Sequence, residues 1–313
     1  MKMQNEPQTI TGRFAPSPTG LLHTGSLVAA AGSWLMARSM GGRWLLRMDD
    51  LDTPRLRPET EADILRTLEA FGLFWDGEIS RQSRNLERYA EAFEQLNAKG
   101  LLYPCSCSRK EIAQAASAPH PDDDCLHYPG TCRNGIKEGT PTRSWRLKVE
   151  DRDICFEDLR CGCICQNLAR SCGDFVLRRA DGVFSYQLAV VIDDQITGVN
   201  QVVRGADLLS STPRQIYIQQ QLGLSQPQYC HLPLVTGANG AKLSKRDNLV
   251  SAQSGGIKGR ENLILFGILE FLGQKPPAGL VGANCSELLE WVIKHFDAGL
   301  MPAQNRELQL PNK

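Results

Sequence analysis

The segment Phe14-Ala-Pro-Ser-Pro-Thr-Gly20, with what flanks it, most constrains how this chain folds. Its prolines and glycine suit neither a helix interior nor a sheet interior, so it is a loop. A short strand-like start precedes it. From Ser26 onward, Leu27-Val-Ala-Ala-Ala-Gly-Ser-Trp-Leu-Met-Ala37 is apolar on most faces of a helix, which predicts a buried one. Gly41-Gly42 stops that helix. Trp44-Leu-Leu-Arg-Met48 reads as a strand, ended by the acidic turn Asp49-Asp-Leu-Asp52. Pro58 suits a first helical position, and Ile64, Leu65, Leu68 and Phe71 then keep helical spacing up to Gly72. Strand, loop, helix, strand, acidic loop, helix is the opening of a parallel α/β unit.

Farther along, Leu86 to Leu96 reads as a helix closed by Lys99-Gly100, followed by a cysteine-bearing stretch, Cys105 to Cys132, with little periodicity. Trp145, Leu147 and Val149 alternate with Arg146 and Lys148, the pattern of a half-buried strand. Phe175–Arg179, the Asp181-Gly182 pair and Phe184–Ile192 predict a β-hairpin. Gln201-Val-Val-Arg204 returns to the α/β core. Pro213 opens a helix ending at Gly223, and Leu232-Pro-Leu-Val235 is a short strand before a loop running to Arg246. The remainder is largely helical, as over Leu288–Phe296.

Bulk numbers exclude some classes. Lys plus Arg equals Asp plus Glu at 35 each, so any RNA-binding surface must be a local patch. No apolar run reaches the roughly 18 residues of a membrane span. The nearest, Leu263–Leu272, is short and carries Glu270, and Met1–Ile10 lacks a signal-peptide core, so a cytoplasmic protein without a membrane partner is expected. The 11 cysteines, an odd number, favour metal ligation or burial over disulfides in a reducing compartment.

Two segments suit phosphate chemistry. Pro16-Ser-Pro-Thr-Gly-Leu-Leu-His-Thr-Gly-Ser26 opens a helix, where free N–H groups and the helix dipole attract an anion and His23 supplies a donor. Lys242-Leu-Ser-Lys-Arg246 puts three cations on a Gly-rich loop that could close over a triphosphate. It is not a Walker A loop. Each alone is equally a bland turn or a solvated basic loop.

Together they resemble the paired "HIGH" and "KMSKS" motifs of class I aminoacyl-tRNA synthetases, with Ser26 where the second histidine of the family stands. The resemblance implies a Rossmann-like catalytic core in which His23, Lys242 and Lys245 are catalytic. It also implies that His23, Gly25, Ser26, Lys242, Ser244 and Lys245 bind ATP, with Mg²⁺ bridging its phosphates. Arg13-Phe-Ala-Pro-Ser-Pro-Thr-Gly-Leu-Leu-His-Thr-Gly25, Leu46-Arg-Met-Asp-Asp-Leu-Asp52 and Val203-Arg-Gly-Ala-Asp-Leu-Leu-Ser-Ser-Thr-Pro-Arg-Gln215 are similar to glutamyl-tRNA synthetases in particular. By that resemblance Arg13, Phe14, Ala15, Pro16, Ser17, Asp49, Tyr186 and Arg204 take the amino acid. The chemistry agrees: arginines fork onto carboxylates, a tyrosine hydroxyl donates, and Asp49 accepts from an ammonium. Asp49 stands where the family usually has Glu. A buried structural ion pair is the plain alternative for Arg204, and an acidic turn is the reading of Asp50 and Asp52.

Glutamyl-tRNA synthetases carry a large anticodon-binding region after the second lysine motif, whereas only Asp247–Lys313 follows it here. A truncated plan of this kind resembles the glutamyl-Q tRNA(Asp) synthetase family, which activates L-glutamate with ATP and esterifies it onto queuosine, the modified wobble base of tRNA(Asp). The implied organisation is a first core half over 9–100, a zinc-bearing α/β insertion over 101–190, a second core half over 191–250 and a short helical C-terminal region over 251–313, in a monomer. Two other readings remain: a truncated synthetase charging a tRNA 3′ end, and a non-catalytic zinc-bearing RNA-binding paralogue.

The same family holds a zinc with a C-x-C pair, a Tyr and a Cys four residues later. Cys105, Cys107, Tyr128 and Cys132 match, which implies one structural Zn²⁺. Cys125 and His127 are rival ligands. A second group, Cys155, Cys161, Cys163, Cys165 and Cys172, has no metal spacing and reads as buried or free thiols.

Overall fold

A computed structural model describes residues 9–108, 110–112, 127–237 and 258–311. The strand–loop–helix opening forms as expected: β1 (Thr11–Phe14), α1 (Thr24–Arg38), β2 (Arg43–Met48) and α2 (Pro58–Ala70), with β3 (Ser80–Arg81) and α3 (Leu86–Ala98) behind them. Helix α1 is buried from Leu27 to Ala37 on all faces but one, as its uniform apolarity requires, save that Ala29 stays partly exposed. It lies so close to the sheet that a Cβ at Gly32 would sit 2.5 Å from the Leu232 side chain.

The core sheet comes in two stretches. β1, β2 and β3 run parallel in the order β1-β2-β3. The second has the order β7-β6-β10-β9, with β6 (Asp153–Asp158), β7 (Gly162–Asn167), β9 (Gln201–Gly205) and β10 (Gln228–Leu232). β10 runs parallel to both β9 and β6, and β7 folds back antiparallel on β6. Asn200 stitches the stretches together: its N–H donates to Thr11 O (3.1 Å) and its Oδ1 accepts from Thr11 N (2.8 Å). Residues 153–167, within the span assigned to an insertion from sequence, thus belong to the same sheet as β9 and β10.

The rest of that span builds an antiparallel sheet, β4-β5-β8, from β4 (Leu102–Cys105), β5 (Ser144–Leu147) and β8 (Phe175–Arg179). Two expectations fail here. The strand β8 turns at Asp181-Gly182, but only Phe184 bridges back to Arg178; Ser185 then caps α4 (Tyr186–Ile196) with its side chain on Leu188 N. The β-branched run Val190–Ile192 is buried inside a helix, where packing overrides strand propensity. On β5, Arg146 points inward, 6% exposed, while Trp145 is only partly covered. A bulge between Trp145 and Arg146 shifts the register, and Arg146 gains internal partners.

The second cysteine group also departs from its reading as free or buried thiols. In the β6–β7 register Cys155 lies directly opposite Cys165, and the two form a disulfide with Cα atoms 4.1 Å apart. Cys172 is buried, Cys161 half-buried and Cys163 exposed. Spacing along the chain does not reveal which cysteines face each other across a hairpin.

Helix α5 (Thr212–Leu222) follows β9, with Pro213 in its first turn and Gly223 left-handed at its end. Two C-terminal helices, α6 (Glu261–Phe271) and α7 (Cys285–His295), pack onto the cluster built by α1, β1, β2 and α2. A second cluster joins α3, β5, α4 and α5, and a small third one surrounds Cys105 and Cys132. No helix among the described residues is long and apolar enough to cross a membrane.

Candidate active site

Between β1 and β9 the connections diverge to opposite sides, and a cleft of about 320 Å³ opens at the carboxyl ends of β1, β9 and β10. This is where open parallel sheets bind ligands. The structure brings Arg13 to Ser17, His23, Gly25, Ser26, Tyr186 and Arg204 together on its wall. Asp49 does not line it, and Lys242, Ser244, Lys245 and Cys125 lie outside the described residues.

The breaker-rich loop is held in place by backbone bonds. Asp49 N donates to Pro16 O (2.9 Å) and Arg57 N to Pro18 O (3.2 Å). His23 caps α1, its Nδ1 accepting from Ser26 N at 3.3 Å, with Ser26 Oγ 3.0 Å from Nε2. A Cβ at Gly25 would stand 3.2 Å from the His23 ring, so a glycine gives the imidazole its room.

The two arginines expected to meet carboxylates are held differently. Arg13 forks onto Asp194 of α4 through Nε (3.1 Å) and Nη2 (3.3 Å). Arg204 on β9 has no carboxylate partner among the described residues, where its side-chain bonds run to His231 and Thr212. Its Nε donates to His231 Nε2 (3.2 Å) and its Nη2 to Thr212 Oγ1 (2.8 Å), while Nη1, buried, has no partner among the described residues. The buried ion pair weighed for Arg204 is found at Arg13 instead.

Beneath the cleft lies a buried charge cluster. Arg47 on β2 pairs with Asp49 (2.7 Å), Asp194 (2.6 Å) and Asp193 (3.7 Å). Asp193 also accepts from Gln82, Asn85 and Tyr89. Two guanidiniums, Arg13 and Arg47, thus face three carboxylates, Asp49, Asp193 and Asp194. Burial pushes the Asp49 carboxyl up to about 6 even against the pull of Arg47, whereas Arg13 and Arg47 outweigh burial at Asp194 and hold it low. The cluster is short of one positive charge, and Asp193 adds to the rise that burial causes at Asp49.

A separate site lies at β4. The sulfurs of Cys105, Cys107 and Cys132 all lie within 4.8 Å of one another. Cys107 Sγ is 3.6 Å from Cys132 Sγ, and Tyr128 Oη is 3.4 Å from Cys105 Sγ and 3.9 Å from Cys107 Sγ. Around a tetrahedral zinc with bonds near 2.3 Å to sulfur and 2.0 Å to oxygen, S···S edges are about 3.8 Å and S···O edges about 3.5 Å. The donor set fits such an ion. Burial opposes ionisation of Cys132, yet hydrogen bonds from Ser106, Tyr128 and Cys107 bring its thiol down to about 6. Arg146 stacks 3.7 Å over the Tyr128 ring and donates to Cys105 Sγ (3.3 Å), a buried cation against an anionic ligand set. His127 is turned away, its Nε2 on Ala169 O (3.1 Å), which removes it as a rival ligand. Asp50 bonds Ser83 and Asp52 bonds Arg55, so the acidic turn is structural.

Sequence reasoning missed Arg47, Asp158, Asp193, Asp194, Thr212 and His231. Arg47 and Thr212 fall within the synthetase-like segments without standing out there, and no local motif marks the other four; Arg204 and His231 are 27 positions apart, and His231 and Asp158 are 73 apart.

Comparison with known proteins follows the same lines. Residues 9–280 match the family described as tRNA synthetases class I (E and Q), catalytic domain. The chain is 54% identical over 304 residues to a glutamyl-Q tRNA(Asp) synthetase of Geobacter sulfurreducens, covering 96% of this chain and 97% of that one. It is 51% identical over 294 residues to a protein of the same name from Dechloromonas aromatica, covering 94% and 96%. A crystal structure of a glutamate tRNA ligase from Elizabethkingia meningosepticum, in complex with its amino acid, superposes with a TM-score of 0.79 at 26% identity, over 96% of this chain and 67% of that one.

Proposed function

The chain belongs to the class I tRNA synthetases of the E and Q type, and we propose that it activates L-glutamate with ATP and transfers the glutamyl group to queuosine in tRNA(Asp), acting in the cytoplasm. The observation that carries the reading is the cleft itself. Its wall holds Arg204, a guanidinium with one nitrogen unpartnered among the described residues, together with the helix start at His23, Gly25 and Ser26, in a chain about half identical to enzymes of that name.

Arg204 and Tyr186 pair with the glutamate carboxylates, beside the loop from Arg13 to Ser17. Arg13, already forked on Asp194, orients the cluster below. The helix start and His23 hold the triphosphate, and Lys242, Ser244 and Lys245, by resemblance, close over it. An oxygen of the glutamate α-carboxylate then attacks the α-phosphorus, and pyrophosphate leaves. A hydroxyl of the queuosine cyclopentene ring next attacks the acyl carbon, forming the ester and releasing AMP. No nucleophile from the protein is needed; positioning and charge stabilisation carry the reaction. Mg²⁺ bound with ATP would neutralise phosphate charge. One Zn²⁺ held by Cys105, Cys107, Tyr128 and Cys132 would be structural, since four protein ligands leave no open position.

The decisive experiment is transfer of labelled glutamate onto bulk tRNA from cells with and without queuosine. Label is expected only on the queuosine-containing RNA. Equal labelling of both pools would mean 3′-end charging and would reject this acceptor, while leaving glutamate activation intact.

Asp49 adds a pH signature. Because its folded pKa lies above the ordinary value, this group favours the fold below about pH 4, and that contribution is lost as pH rises through about 6. Although Asp49 does not line the cleft, the ammonium of a glutamate bound there adds the missing positive charge to the cluster behind it and favours the ionised form. The glutamate requirement of ATP–pyrophosphate exchange should therefore be flat above pH 7 and rise up to about tenfold per unit below pH 6. Asp49→Asn should flatten that rise. A wild-type profile that is flat down to pH 5 would remove Asp49 from ammonium recognition.

A further inference from the structure

Three neighbouring strands carry a line of buried polar side chains that ends at the cleft: Asp158 on β6, His231 on β10 and Arg204 on β9. His231 is fully enclosed, with Nδ1 2.7 Å from Asp158 Oδ2. Its Nε2 meets Arg204 Nε at 3.2 Å and the Thr212 hydroxyl at 3.0 Å. An arginine Nε–H only donates, so Nε2 is the lone-pair nitrogen and the ring proton sits on Nδ1, facing Asp158. Asp158 is itself fixed from the other side: its Oδ1 accepts from the backbone N–H groups of Arg160 (3.0 Å) and Cys161 (2.8 Å). The main chain of His231 is held too, its N–H donating to Asp158 Oδ2 (3.1 Å) and its carbonyl accepting from Arg160 Nε.

The consequence for Arg204 is geometric. With Nε on His231 and Nη2 on Thr212, two edges of the guanidinium are engaged and its plane is set, which leaves Nη1 as the donor without a partner among the described residues. We propose that His231, its tautomer fixed by Asp158, is a positioning residue that holds Arg204 with Nη1 presented to a carboxylate of the amino acid. This rests on the assignment of the cleft to glutamate made above.

The arrangement makes a selective test possible. In Asp158→Asn the two backbone donors on Oδ1 keep the amide oxygen where it is, so the amide NH₂ replaces Oδ2 and faces Nδ1. That NH₂ can only donate. The ring proton is driven to Nε2, and a donor then opposes the Nε–H of Arg204. The shape of the side chain hardly changes. His231→Gln can place an amide oxygen toward Arg204 and keep that bond, whereas His231→Leu removes it.

Glutamate-dependent ATP–pyrophosphate exchange of the full, metal-loaded protein reads the outcome. In Asp158→Asn, KM for glutamate should rise about tenfold or more while KM for ATP stays within about twofold, the loss expected for a hydrogen bond to a charged group. His231→Leu should raise it at least as far and His231→Gln less. Should His231→Leu fail to fold, the contrast between Asp158→Asn and His231→Gln decides. Wild-type exchange together with an unchanged glutamate KM in Asp158→Asn, or with both KM values rising in step, overturns this inference alone. Absence of glutamate-dependent exchange in the wild type overturns the functional reading and this inference with it.

Discussion

Replacing Arg204 with alanine should raise the glutamate concentration needed for half-maximal ATP–pyrophosphate exchange about 100-fold, with less than threefold change for ATP. Arg204 is 5% exposed, and its Nη1 is a buried donor that no atom of the described residues satisfies. A carboxylate arriving there forms a charge-assisted hydrogen bond away from water, where removing one partner costs about 2–5 kcal/mol, or roughly 30- to 4,000-fold. The fold should tolerate the change, because His231 Nε2 still faces the Thr212 hydroxyl at 3.0 Å and the Asp158 bond is untouched. Parallel losses for glutamate and ATP, with an unchanged melting temperature, would take Arg204 out of amino-acid recognition.

Cys107→Ser should abolish stoichiometric zinc and lower the melting temperature by about 3–5 °C. Among the described residues, the cluster around Cys105 and Cys132 has Tyr103, Cys105, Ile112, Tyr128 and Cys132 as buried apolar members, a small core on which to fix loops by burial. A four-ligand ion would supply that order, and losing about 2–3 kcal/mol of it shifts a chain of this size by ~1.5 °C per kcal/mol. Metal analysis and thermal melts of the same samples check both numbers. Cys163→Ser, on the exposed hairpin, is the matched control and should change neither. Retention of one equivalent of zinc by Cys107→Ser would dismiss the site.

What the sequence disclosed was whatever is written locally. The loop of prolines and glycine, the all-round apolar α1 and the Pro213 and Gly223 boundaries of α5 are short-range signals, and each element formed where expected. The cleft residues followed because the loop, the start of α1 and the end of β9 are contiguous segments. What stayed hidden depends on partners far along the chain. The α4 helix is set by the packing of Val190–Ile192, not by their propensity. Arg146 turns inward because a bulge and a stack on Tyr128 reward it. The Cys155–Cys165 pair and the Asp158–His231–Arg204 line exist only once strand register is known.

The join between β1 and β9 bears on how the molecule is made. Thr11 and Asn200 are 189 positions apart, yet they share a pair of hydrogen bonds at the amino ends of β1 and β9. At roughly 5–20 residues per second, a ribosome delivers Asn200 about 10–40 s after Thr11. Throughout that interval the nascent β1 has β2 on one side and no mate on the other. The four residues of β1 are all buried in the finished sheet, so this edge is the point at which a growing chain is most open to wrong pairing. The waiting time, not the final stability, is what a change in translation speed would alter.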